Sequence, residues 1–242
     1  MKLPSTERRK ASQVAKRTLL IYGKPFSGKS TLADGAPVPL FLNTDGNATY
    51  LTAPYVAIKD EITQEGRMIK RTFAWEIFKS CIDELEKKEN DFKTIVVDLL
   101  EDTYEYCRLY MYHKLGISHE SEDGFRAWDL VRTEYLSNIR RLMNLPYENI
   151  LLLSHEDTTK DITKKAGDKI TAIRPALNEK CANKVTGMVG MVGRVVVDGS
   201  KRTLQFKTDD HIFGGGRLKT NVTEVPLEWA AVAKLFDEKE GK

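Results

Sequence analysis

Eight consecutive residues, Gly23-Lys24-Pro25-Phe26-Ser27-Gly28-Lys29-Ser30, with Thr31 behind them, have the types and the spacing to grip phosphate. Gly23 and Gly28 lack a Cβ, so the backbone can curl tightly and turn its N–H groups onto phosphate oxygens. Lys29 brings an ammonium to the β- and γ-phosphates of a nucleoside triphosphate. The Ser30 hydroxyl is a hard oxygen suited to Mg²⁺. The pattern is G-x-x-x-x-G-K-S, the P-loop, which has this meaning only between a strand and a helix. That context is present. Thr18-Leu19-Leu20-Ile21-Tyr22 is a short apolar run that favours a strand. Ser30-Thr31-Leu32-Ala33 can open a helix, whose positive N-terminal end adds to the anion site.

Three further side chains are placed to join this chemistry. Lys93-Thr94-Ile95-Val96-Val97-Asp98 is a β-favouring run ending in an acid, the form of the Walker B strand, and Asp98 there holds Mg²⁺ through water. The bland alternative is a strand-end aspartate of no function. Val38-Pro39-Leu40-Phe41-Leu42-Asn43 also reads as a buried strand and runs into Asp45. If that strand neighbours the P-loop strand, Asp45 stands near the γ-phosphate and can orient the attacking water. Otherwise it is an ordinary turn aspartate before a glycine. Asn149-Ile150-Leu151-Leu152-Leu153-Ser154-His155 ends in a histidine that either senses the γ-phosphate or bonds a backbone carbonyl. Glu101 and Asp102 follow the Walker B strand and either assist the metal or cap the next helix.

These positions need a scaffold. Alternating strands and helices predict an α/β fold with a mostly parallel central sheet flanked by helices. Helices are expected over 72–88, 102–115, 126–143, 178–192 and from Pro226 onward. Ala74, Ile77, Phe78, Cys81, Ile82 and Leu85 mark the buried side of the first, and Trp128, Val131, Tyr135, Ile139 and Leu142 that of the third. Tyr104, Tyr106, Tyr110 and Tyr112 read as packing residues. A C-terminal β-hairpin turns at Asp198-Gly199-Ser200. Residues 1–16 form a basic N-terminal arm, 17–237 a single domain and 238–242 a tail.

Between the strand ending at His155 and the helix at 178 lies a lysine-rich stretch, with Lys160, Lys164, Lys165, Lys169 and Arg174. Lysines without interleaved aromatics suit contact with a nucleic-acid backbone, although a solvated loop has the same composition. Lys207 and Arg217 lie on the late hairpin and loop. There a cation can reach a neighbouring subunit's γ-phosphate, or be ordinary surface charge.

Composition bounds the rest. The 242 residues carry a net charge of +3, and 30% are charged. These values fit one soluble globular domain and permit an anionic partner without demanding one. Three scattered cysteines without a C-x-x-C argue for a reducing compartment and against zinc, so a cytoplasmic protein is expected. No membrane-length apolar run occurs.

The order of these motifs resembles a RecA-like P-loop ATPase core: Gly23–Thr31, then Phe41-Leu42-Asn43-Thr44-Asp45, then Ile95-Val96-Val97-Asp98, then Leu151-Leu152-Leu153-Ser154-His155. More closely, it looks like the phage single-strand annealing ATPases of the core-only Sak group, over roughly residues 17–237. The resemblance implies ATP and Mg²⁺ as ligands, single-stranded DNA as partner, a ring or filament of identical subunits, and possible contact with a single-strand binding protein. It implies that Lys29, Asp45, Asp98 and His155 act in hydrolysis, that the basic stretch after His155 binds DNA, and that Lys207 or Arg217 acts in trans. Two departures stand out. Asp45 falls where RecA-type ATPases usually carry glutamate, so hydrolysis is expected to be slow. Leu99 replaces the usual serine or threonine after the Walker B acid. The competing readings are a small-molecule P-loop kinase, which lacks the expected arginine-bearing lid here, and an ATP-gated scaffold with little turnover.

Overall fold

The computed structural model describes residue 6 and residues 16–159, 161–163, 169–209, 211–218 and 221–237. In chain order the first half holds β1 (Arg17–Gly23), α1 (Lys29–Asp34), β2 (Pro39–Asn43), β3 (Tyr55–Ala57), β4 (Glu61–Glu65), β5 (Met68–Thr72), α2 (Ala74–Lys87), β6 (Thr94–Asp98), α3 (Leu100–Leu115) and α4 (Gly124–Asn144). Then come β7 (Asn149–Asp157), β8 (Asp161–Thr163), β9 (Lys169–Thr171), β10 (Arg174–Pro175), α5 (Glu179–Thr186), β11 (Met191–Asp198), β12 (Lys201–Gln205), β13 (Gly215–Gly216), β14 (Glu224–Pro226) and α6 (Trp229–Asp237).

The main sheet runs β14-β12-β11-β1-β7-β6-β2-β3. From β11 to β3 every neighbouring pair is parallel. β12 and β14 add an antiparallel margin, and the β11–β12 turn is the expected C-terminal hairpin. This is the α/β, mostly parallel central sheet with flanking helices that the alternating strands and helices predict. All five residues of β6 are buried, as are Leu19 through Gly23 of β1. A strand covered on both faces needs a continuous apolar run, which is why these segments read so plainly. One face is covered by α2, α3, α4 and α5 around Trp75, Phe78 and Tyr135. The other is covered by α1 and α6 around Leu32, Val232 and Phe236. The helix tyrosines pack as expected, with Tyr104 edge-on to Tyr135 at 5.2 Å between ring centres.

Several expectations shift. The helix expected over 178–192 stops at Thr186, and β11 begins at Met191. Gly187 and Gly190 end the helix rather than pack inside it. Gly190 donates instead to the Thr18 carbonyl at 2.9 Å, which starts the strand pairing. Pro226 closes β14 and does not open α6, which starts at Trp229. Trp128 is 38% exposed and Ala127 takes its place on the buried face of α4. The 156–174 stretch is not a plain loop. β7 continues to Asp157, β8 pairs antiparallel with β9, and β10 returns along the end of β7. Lys16, placed in the basic arm by composition, donates to the Leu145 carbonyl at 2.6 Å and anchors the entry to β1. The rest of residues 1–15 apart from residue 6, and the 238–242 tail, lie outside the described residues.

Candidate functional site

The carboxyl ends of β1, β7, β6 and β2 line up in register. Gly23 stands opposite His155, Asp98 opposite Leu153, and Asn43 opposite Asp98. Beyond them opens a crevice of about 570 Å³, lined by Pro25 through Thr31, Asp45, Asn47, Tyr50, Asp98, Leu99, His155 and Arg202. A crevice at the carboxyl edge is where such sheets bind ligands. β2 does not neighbour β1, because β7 and β6 lie between them. Asp45 reaches the same crevice from across β6.

The loop has the local geometry its sequence requires. Gly28 sits at φ +99°, a left-handed conformation that costs a side chain energy. A Cβ there would also meet Leu227 Cδ2 at 3.1 Å. Lys29 is 5% exposed and donates to the carbonyls of Gly23 and Lys24, both at 3.0 Å. Burial pushes its ammonium below the ordinary lysine value, while Asp98 and Glu101 act against that. Ser27 Oγ is buried without a hydrogen-bond partner, at the centre of the loop. An orphaned hydroxyl inside a curl of N–H groups is a cradle that fits a phosphate oxygen.

Ser30 Oγ donates to Asp98 Oδ2 at 2.7 Å. Asp98 is 3% exposed, and burial raises its carboxyl to about 6, helped by Asp45 and opposed by the Ser30 bond. The two side chains present hard oxygens side by side, a donor set that fits Mg²⁺. When bound, that ion would neutralise phosphate charge. Asp45 is held differently. It accepts from Asn43 Nδ2 at 2.8 Å, from the Asn47 N–H at 3.0 Å and from Asn47 Nδ2 at 2.9 Å. Burial pushes this carboxyl up, but the hydrogen bonds from Asn47 and Asn43 outweigh it and hold the group below the ordinary aspartate value.

His155 and Glu101 form a pair. Glu101 Oε1 lies 2.9 Å from His155 Nδ1 and accepts the His155 N–H at 2.9 Å. Glu101 Oε2 is buried without a partner. Next to this pair, Arg194 holds Glu156, whose side chain is 1% exposed, through Nε at 2.8 Å.

Residues 15–218 match the AAA domain family. The chain belongs to that family. It is therefore a P-loop nucleotide-binding protein of the AAA type. No curated protein matches the chain in a sequence comparison. Among solved structures the AAA domain is similar to the RadB recombinase, at 12% identity and a TM-score of 0.43, over 81% of this chain and 82% of that one.

Some expected positions stand apart from the crevice of this AAA domain. Arg217 donates through its guanidinium to the Gly187 carbonyl, beside the 213–216 glycine segment. Lys207 is exposed past the end of β12. Arg174 pairs with Glu179 Oε1 at 3.1 Å near the start of α5. Lys160, Lys164 and Lys165 lie outside the described residues, and Lys169 opens β9. Sequence reasoning missed Arg202 and Tyr50 as lining residues, and Thr44, which donates to Asp102 Oδ2 at 2.7 Å. An Asn43-x-Asp45-x-Asn47 turn signalled the last region. Nothing local signalled Arg202, which only the strand order brings over the P-loop.

Proposed function

We propose that this AAA domain is a Mg²⁺-dependent ATPase that binds single-stranded DNA and works as a ring or filament of identical subunits in phage recombination, annealing or replication inside the bacterial host cytoplasm. The observation that carries the nucleotide part is the Ser30–Asp98 bond of 2.7 Å, one residue from the buried Lys29 and within the same crevice as Asp45 and His155. In this reading the loop N–H groups and Lys29 hold the triphosphate, Ser30 and Asp98 hold the ion, Asp45 orients water, and His155 faces the γ-phosphate end. Tyr50, 89% exposed on the crevice wall, offers a flat apolar surface for the base.

The DNA part rests on chain connectivity. β7 carries His155 and leads within two residues into the basic 156–174 segment, so a change at the nucleotide reaches that segment through covalent chain.

One observation favours a second reading, an ATP-gated DNA-binding protein with little turnover. Asp45 accepts three hydrogen bonds and is held more acidic than usual, which makes it a weak base. The test is ATP hydrolysis with and without single-stranded DNA, for wild type and Lys29→Ala. Hydrolysis that DNA stimulates and Lys29→Ala abolishes supports the ATPase. ATP binding without hydrolysis under either condition selects the gated protein. Absence of ATP binding in the wild type overturns both.

A further inference from the structure

We propose that Arg202 is a cation that each chain supplies to its own bound triphosphate. The inference rests on the nucleotide reading of the crevice and adds a residue to it. Arg202 lies on β12 opposite Val197, two strands from β1 on the flank away from Asp45 and Asp98. Its carbonyl accepts the Leu227 N–H at 3.1 Å, and Leu227 packs on Gly28, so the backbone at Arg202 is fixed over the P-loop. The side chain then crosses the loop. A Cβ built on Gly28 would lie 3.6 Å from Arg202 Cδ and 3.9 Å from its Nη1. The glycine that frees the loop's N–H groups also leaves room for this guanidinium.

Charge gives the placement its meaning. Among the described residues lining the crevice, Lys29 is the other basic side chain besides Arg202 and His155, facing Asp45 and Asp98 with Glu101 behind. A triphosphate brings several more negative charges into that acidic surrounding. Among the described residues no carboxylate lies within ion-pair distance of Arg202, so its fork of donors is uncommitted. A guanidinium can meet two phosphate oxygens at once, which an ammonium cannot. Arg217, by contrast, commits one donor to the Gly187 carbonyl.

The test measures binding of Mg²⁺–ATP by calorimetry to wild type, Lys29→Ala, Arg202→Ala and Arg202→Lys, with melting temperature as the check on folding. Arg202 is exposed, so both of its variants should melt as wild type does. Loss of one charged contact predicts about 10- to 100-fold weaker binding for Arg202→Ala, with partial recovery in Arg202→Lys. The loss should shrink as salt rises, because it is a loss between charges. Mixing Lys29→Ala with Arg202→Ala subunits should restore nothing, since each chain must carry both residues. Wild-type affinity in Arg202→Ala overturns the proposal, and so does a loss that salt leaves unchanged. Recovery on mixing overturns it in favour of a neighbour's site. If wild type itself fails to bind ATP, the nucleotide reading falls, and this proposal with it.

Discussion

Replacing Asp98 by asparagine should stabilise the nucleotide-free protein at neutral pH while destroying its response to Mg²⁺–ATP. Asp98 is 3% exposed at the end of β6, and burial raises its carboxyl to about 6 from an ordinary 3.8. The folded pKa lies above the unfolded one, so the folded state holds the proton more tightly. Stability from this group is therefore full below about pH 4 and is lost as pH rises toward 6. About two pKa units correspond to ~3 kcal/mol at the limit, and ~2 kcal/mol is a fair expectation once side-chain adjustment is allowed. An asparagine keeps the volume and still accepts the Ser30 hydroxyl, but it carries no charge. For a chain of this size ~2 kcal/mol is about 4–8 °C in Tm. The assay is thermal unfolding in chelator, without nucleotide, at pH 8, 5 and 4. The variant should melt higher at pH 8, with the gap roughly halved at pH 5 and closed at pH 4. Adding Mg²⁺–ATP at pH 8 should reverse the order, because the wild type alone gains ligand stabilisation. A variant no more stable than wild type at pH 8, or a gap indifferent to pH, would refute the reasoning.

Three other substitutions test separate parts of the site. Gly28→Ala must adopt φ +99° and push against Leu227, so it should lose ~1–3 kcal/mol in denaturant unfolding and bind ATP poorly by calorimetry. Glu101→Gln weakens the hold on His155, so steady-state kinetics should show a lower kcat with little change in KM. Asp45→Asn should leave ATP binding within a few fold in titration. Hydrolysis should fall about 10²-fold or more if Asp45 orients water, and stay unchanged if the protein is only ATP-gated.

The central strands were readable because each is buried on both faces and so consists of one apolar run. β1, β6 and β7 appear within two residues of expectation for that reason. Less was legible where burial is one-sided or absent. The β4–β5 hairpin is exposed, with Ile62 at 72% and Met68 at 75%, so no core pattern marks it as paired strands. The helix expected over 178–192 takes Gly187 and Gly190 as close-packing positions inside it, yet Met191 and Val192 are buried in a strand that pairs with β1. Within the site, the strand-end residues were legible because sheet geometry gathers carboxyl ends. Partnerships were not. Glu101 meets His155 across 54 residues, and Arg202 on β12 comes to Gly28 past the intervening β11. Those contacts depend on strand order, which a single sequence does not display.

That strand order also bears on how nucleotide chemistry could reach DNA. β7 lies between β1, which leads into the P-loop, and β6, which ends at Asp98, so both pack against it directly. Its last residues do not end at the crevice. Glu156 and Asp157 pair with Pro175 and Arg174 of β10, so the two ends of the basic segment are clamped side by side. His155 sits at the base of that clamp, held by Glu101, while Arg194 fixes Glu156 from β11. Arg194 holds Glu156 in a bidentate pair with the Glu156 side chain almost fully covered, whereas His155–Glu101 is a third exposed on the histidine side and leaves one carboxylate oxygen unpartnered. The weaker of the two holds is the one that lines the crevice. In the proposed function a phosphate that draws His155 away from Glu101 would therefore act on β7 before it disturbed Arg194. The movement would pass into the basic segment rather than into the core of the sheet.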